Sequence, residues 1–175
     1  MVQAHNWFDL VSDKEIAEFK QTGPSNKFLA EISLIAERCE TRGRNLILRD
    51  FYNLDFTGIH LRAAPPFRFL TVEALRDHFD IVWIFTVRHP ADQWISLSRI
   101  FTDDISPHFE RYMHGLGLFA EQAAETGFVR YEDFTNNPET ELQSLCEQLE
   151  WPYDASWRAR WTAYGNITGD NRASD

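Results

Sequence analysis

Arg88 opens the stretch Arg88-His89-Pro90-Ala91-Asp92-Gln93-Trp94-Ile95-Ser96, which follows an apolar run ending at Val87. These residue types suit the capture of an anion. A guanidinium offers a planar fork of donors for phosphate or carboxylate. Pro90 fits the first turn of a helix, and Asp92 favours the positive end of that helix. The helix N-terminus adds unpaired N–H groups at the same place. Ser96 lies inside the helix, eight residues after Arg88, and a turn followed by a helix can bring both towards one anion. The same spacing also fits a plainer arrangement, with Arg88 paired to a nearby carboxylate and Ser96 an ordinary helix residue. A second segment is Phe128-Val129-Arg130-Tyr131-Glu132-Asp133-Phe134, with Asn137-Pro138-Glu139 after it. A tyrosine at a strand end can stack on or edge a base while its hydroxyl finds a polar partner. A half-buried Tyr131 beside a solvated Glu132-Asp133 turn fits equally.

Local signals predict the elements that carry these residues. Ser12-Asp-Lys-Glu15 reads as a capping box opening a helix to about Gln21. Thr22-Gly-Pro-Ser25 breaks it, and Phe28, Leu29, Ile32, Ile35, Ala36 and Cys39 recur at helical spacing over about 26–42, up to Gly43. Asn45–Arg49 reads as a buried strand, and Thr71 caps a helix to about Phe79. Ile81–Val87 is the strongest strand signal. Helices follow over about 90–101 and 107–125, with Gly127 ending the second. Phe128–Tyr131 is a short strand, and Asn137-Pro-Glu opens a helix to about Leu149. Helix thus alternates with strand three times, over 26–49, 71–87 and 107–131. This predicts an α/β fold with a parallel sheet, right-handed crossovers and flanking helices. Ligands of such sheets sit beyond the carboxyl ends of the strands. Here those ends are Arg49-Asp50, Arg88-His89 and Tyr131-Glu132-Asp133.

Composition narrows the partners. The 175 residues carry a formal net charge of −10, with 43% hydrophobic and 14% aromatic residues. One domain able to bury a real core is expected. Lysine occurs only at Lys14, Lys20 and Lys27, against fourteen arginines. The acidic balance argues against a broad nucleic-acid surface, so an anionic ligand must be held by a local arginine cluster. Cys39 and Cys146 form no C-x-x-C pattern, which makes a zinc site or disulfide framework unexpected and suits a reducing, cytoplasmic compartment. His108 and His114 are six apart and share a helix face poorly, so no metal pair is expected. Ser96-Leu-Ser98 lacks the glycine-flanked elbow of hydrolases. Met1–Glu15 is polar and acidic rather than a signal peptide, and no apolar run reaches membrane-spanning length.

Together the two segments resemble the sulfotransferase family. Arg88, Pro90, Asp92 and Ser96 match its R-x-P-x-D-x-x-x-S signature, and Tyr131-Glu132-Asp133-Phe134 with Pro138 match its later Y-E-D-F/L-x-x-x-P segment. Asn45–Gly58 looks like an earlier strand and loop of bacterial-type members, and Gly169-Asp170-Asn171-Arg172 is weakly similar to a late Gly-Asp-x-Lys/Arg element. The resemblance spans roughly 28–172. It implies a fold like that of P-loop NTPases and transfer of a sulfuryl group from 3′-phosphoadenosine 5′-phosphosulfate (PAPS) to a hydroxyl or amine. It implies that Arg88 and Ser96 grip the 3′-phosphate, that Tyr131 lies near the adenine, and that Arg172 assists. The product nucleotide is adenosine 3′,5′-bisphosphate (PAP).

The family also carries a phosphate loop near its N-terminus, a glycine-rich strand-to-helix turn with Lys or Arg. No glycine here precedes Lys-Ser/Thr, and no Arg-Ser-Gly occurs. Gly23-Pro-Ser-Asn-Lys27 lacks a preceding apolar strand, and its proline removes an N–H. The chain is therefore expected to be incomplete at its N-terminus, to hold the adenosine 3′-phosphate half of the donor, and to have little or no transfer activity by itself. The resemblance also implies a catalytic base, His or a carboxylate, in the loop after the family's second strand. Here the loop after Asn45–Arg49 offers Asp50, Asp55 and His60, with Asn53 in the place of a related histidine. Trp151, Tyr153, Trp157, Trp161 and Tyr164 form either an acceptor wall or C-terminal packing. The alternative to an enzyme is a non-catalytic PAP-binding or oligomerising module on the same scaffold, with a homo-oligomer covering the incomplete sheet. Sugar, lipid, peptide and small phenol all remain open as acceptors.

Overall fold

A computed structural model describes residues 10–19, 24–51, 53–59, 64–100 and 104–160. They form two compact units, one made of the described residues up to Leu48 with those from Asp154 onward, the other of Arg49–Tyr153. The fold is mixed α/β, mostly helical, with one two-stranded parallel sheet.

In the first unit α1 spans Asp13–Phe19 and α2 spans Pro24–Thr41. The capping box forms as expected. The Ser12 amide and hydroxyl donate to Glu15 Oε2 at 2.8 and 2.7 Å. Leu10, Val11, Ile35 and Cys39 are buried together, with Phe19 and Leu46 packed against them. Gly43, at φ +63°, ends α2. Its N–H donates to Glu40 O and that of Arg44 to Cys39 O, each at 2.8 Å. This paired closure needs a left-handed residue, which glycine adopts without strain.

The expected strand at Asn45–Arg49 does not form. Residues 44–50 have no regular structure, and Ile47 is 71% exposed. A buried strand needs a neighbour to pair its backbone and elements to cover its faces. Among the described residues no strand pairs with this segment.

The second unit contains a π-helix at Asn53–Thr57, α3 at Leu70–Leu75, β1 at Phe85–Val87, α4 at Pro90–Ile100 and a 3-10 turn at Ser106–His108. There follow α5 at Phe109–Thr126, β2 at Phe128–Arg130, α6 at Tyr131–Asn136 and α7 at Pro138–Gln148. A short α8, Trp157–Arg160, belongs to the first unit. The strands β1 and β2 run parallel, pairing Phe85 with Phe128, Thr86 with Val129 and Val87 with Arg130. Only the last three residues of the Ile81–Val87 run join the ladder. Gly127, at φ +119°, joins the end of α5 directly to β2, so Ile81–Ile84 have no opposite strand residues there, and Val82 stays 64% exposed.

The core of this unit gathers Phe56, Ile59, Phe85, Ile105, Tyr112, Leu116, Phe119 and Ala123. Tyr112, Leu116, Phe119 and Ala123 lie one above another at spacings of three and four along α5. Phe85 meets Phe69 at 5.0 Å and Phe119 edge-on at 5.2 Å between ring centroids. Each such buried ring contributes roughly 1.5–3 kcal/mol. Gly115 lets α5 close onto the π-helix. A Cβ there would strike the Phe56 carbonyl and lie 3.1 Å from Thr57 Cα.

Candidate functional site

The parallel register carries two chain ends to one edge. After Val87 and Arg130 come Arg88-His89 and Tyr131-Glu132, where each chain turns from strand towards helix. The Arg88 guanidinium lies over the Tyr131 ring, 4.8 Å from its centroid. Its Nε is buried and has no hydrogen-bond partner. A donor in that state costs free energy unless a ligand or water meets it. Arg130, one residue before Tyr131, is paired instead, with Asp133 at 3.5 Å.

Pro90 begins α4 as its sequence position predicts, and the first helical bond runs from Gln93 N–H to His89 O at 3.0 Å. The first-turn amides of α4 have no acceptor within the helix, and Pro90 contributes none. The His89 amide is taken by Glu132, whose Oε1 accepts it at 2.8 Å. That bond chiefly holds the Glu132 carboxyl below the ordinary carboxylate range, helped by its own backbone N–H and by the Arg130 and Arg88 charges. His89 Nδ1 lies 3.8 Å from Asp92 Oδ2. The buried Tyr112 hydroxyl donates to Pro90 O at 2.9 Å and lies 3.0 Å from Gln93 Oε1, pinning the first turn of α4 onto α5. Burial pushes the Tyr112 hydroxyl up to about 12, with Arg88 acting in the opposite sense. Ser96 is half-buried on α4, one turn beyond Gln93.

The structure thus brings Arg88 and Tyr131 together at the strand ends, with Ser96 two turns along the adjoining helix. The proposed bases sit on a different segment. Asp50 is exposed and accepts the Phe51 amide at 2.7 Å. Asp55 is buried within the π-helix, and its Oδ2 accepts the Leu70 amide at 3.0 Å, capping α3. Its backbone carbonyl accepts from Phe67 at 2.9 Å. His60 and Arg172 lie outside the described residues, as do Trp161 and Tyr164.

Sequence reasoning placed Glu132 at a strand end, with a solvated turn as the alternative, but gave it no role, and it missed Tyr112. Tyr112 carries only a core-spacing signal, because its hydroxyl partners lie 19 and 22 residues away. Beside the Arg88 turn, an apolar recess of about 290 Å³ between α4 and α5 is lined by His89, Pro90, Trp94, Ile95, Phe109 and Met113 among others. Among the described residues no group of three or more His, Cys, Asp or Glu converges to hold a metal, and no helix is long and apolar enough to cross a membrane.

Compared with known proteins, the chain matches no family model, no curated protein and no solved structure.

Proposed function

We propose that this chain is built on a sulfotransferase-type scaffold of the P-loop NTPase-like class and binds the adenosine 3′-phosphate half of 3′-phosphoadenosine 5′-phosphosulfate. The observation that carries the proposal is the Arg88 guanidinium, stacked on Tyr131 at a strand end with its Nε buried and unpartnered. An arginine kept for packing or ion pairing normally satisfies its donors. This one leaves its Nε unmatched where strand ends and a helix N-terminus converge. In the proposed complex Arg88 and Ser96 hold the 3′-phosphate, and Arg172 assists. Tyr131, with one ring face under Arg88, offers the other to the adenine.

In the reaction class proposed, the acceptor oxygen or nitrogen attacks sulfur and forms the new bond. The bond from sulfur to the bridging phosphate oxygen breaks, adenosine 3′,5′-bisphosphate leaves, and the acceptor proton passes to a base. Asp50, Asp55 and His60 are the proposed bases, and Asp55 already accepts the Leu70 amide through Oδ2. In a second reading the same Arg88 site binds PAP without transfer.

Calorimetry with adenosine 3′,5′-bisphosphate tests the shared binding step. Saturable heat that weakens in Arg88→Ala and Ser96→Ala is expected. No heat with the native chain, or an unaltered affinity in Arg88→Ala, overturns the proposal. Turnover of radiolabelled sulfate donor then separates an enzyme from a binding module.

A further inference from the structure

The ladder between β1 and β2 stops at Val87 and Arg130 because Tyr131 begins a helix. The pairing offset nevertheless continues through side chains. Phe85 pairs with Phe128, an offset of 43, and the same offset relates Arg88 to Tyr131 and His89 to Glu132. At the first position beyond the ladder a guanidinium stacks on a ring. At the second, a carboxylate oxygen accepts the amide that a strand carbonyl would otherwise have taken.

We propose that Glu132 is a positioning residue of the Arg88 site. By accepting the His89 amide it fixes the short turn between β1 and α4 and holds the Arg88 guanidinium over Tyr131, ready for a phosphate. This rests on the nucleotide reading for the identity of the ligand, but the clasp itself is a property of the free chain. Its purpose is the acceptor atom rather than the charge. A carboxylate near a bound dianion opposes binding, so a neutral acceptor of the same shape serves as well or better.

The test uses the full chain, calorimetry with adenosine 3′,5′-bisphosphate, and amide and aromatic NMR. Glu132→Ala is expected to weaken binding about tenfold, to remove hydrogen-exchange protection at His89, and to shift the Tyr131 ring signals as Arg88 leaves. Glu132→Gln is expected to restore all three, with affinity equal to or above the native value. Unchanged His89 protection and Tyr131 shifts in Glu132→Ala overturn the clasp, as does an Ala variant that binds as tightly as the native chain. If the native chain takes up no nucleotide while the NMR signals of Glu132→Ala still change and Glu132→Gln restores them, the clasp stands and the nucleotide reading falls.

Discussion

Two arginines in this chain lie near a carboxylate that accepts an amide at the start of a helix, and they end in opposite states. In the first unit Arg38 donates to both oxygens of Glu15 and to the Leu10 carbonyl. Glu15 in turn closes the capping box of α1. In the second unit Glu132 takes the amide at the start of α4, while Arg88 rests on an aromatic face with its Nε unmatched. The acid and the helix terminus are similar. The difference lies in where the guanidinium is directed. Arg38 is consumed by the fold, whereas Arg88 is held by a ring contact that leaves its Nε unmatched. A stacked arginine is fixed in place without being neutralised.

The largest expected effect tests this contrast directly. Arg88→Ala should reduce adenosine 3′,5′-bisphosphate affinity on the order of 100-fold, since charge-assisted bonds to a phosphate are lost, with little change in melting temperature. Arg38→Ala should do the reverse, lowering the melting temperature while leaving affinity intact. Calorimetry and thermal melts on both variants decide it, and equal stability losses would erase the distinction.

Next is the packing beneath the open site. Gly115→Ala forces α5 away from the π-helix and should cost about 1–3 kcal/mol. Gly117→Ala meets nothing within 4 Å and should gain about 0.5–1 kcal/mol from helix propensity. Denaturant melts of the pair measure the difference. Tyr131→Leu removes the platform under Arg88 and should weaken nucleotide binding about fivefold, whereas Tyr131→Phe keeps the ring and should bind like the native chain.

The smallest effect concerns acid stability of the closed arginine. Hydrogen bonds from Arg38, then from Ser12, lower the Glu15 carboxyl from 4.5 to about 2. Because the folded value is depressed, the stabilisation is complete above about 4.5 and is lost as pH falls towards about 2. Thermal melts from pH 6 down to 2 should show a falling component that Glu15→Gln abolishes.

Much of the helical part was legible because its signals act within a few residues. Ser12 with Glu15, Gly43, Pro90 and Pro138 each mark a helix end through contacts no more than one or two turns away. The arginine and tyrosine that meet at the sheet edge could also be picked out, because each follows an apolar run that ends at a turn. Strand length was not legible. Ile81–Ile84 and Asn45–Arg49 have strand composition, yet pairing depends on another segment being present at the right register.

By itself, then, the sequence determined the ends of α2, α4, α5 and α7 to within a residue or two, and which polar residues stand at strand ends, but neither α6 nor the π-helix. Helix bonds span four residues, so composition and spacing suffice. Only the tertiary structure decided that three residue pairs form the sheet, that Asp55 caps a helix 15 residues on, and that Glu132 reaches His89 across 43 residues. These contacts join segments far apart in the chain, and their partners are chosen by packing of the whole unit rather than by local preference. The open state of Arg88 belongs to the same class, since it follows from a ring brought beneath it by the parallel register.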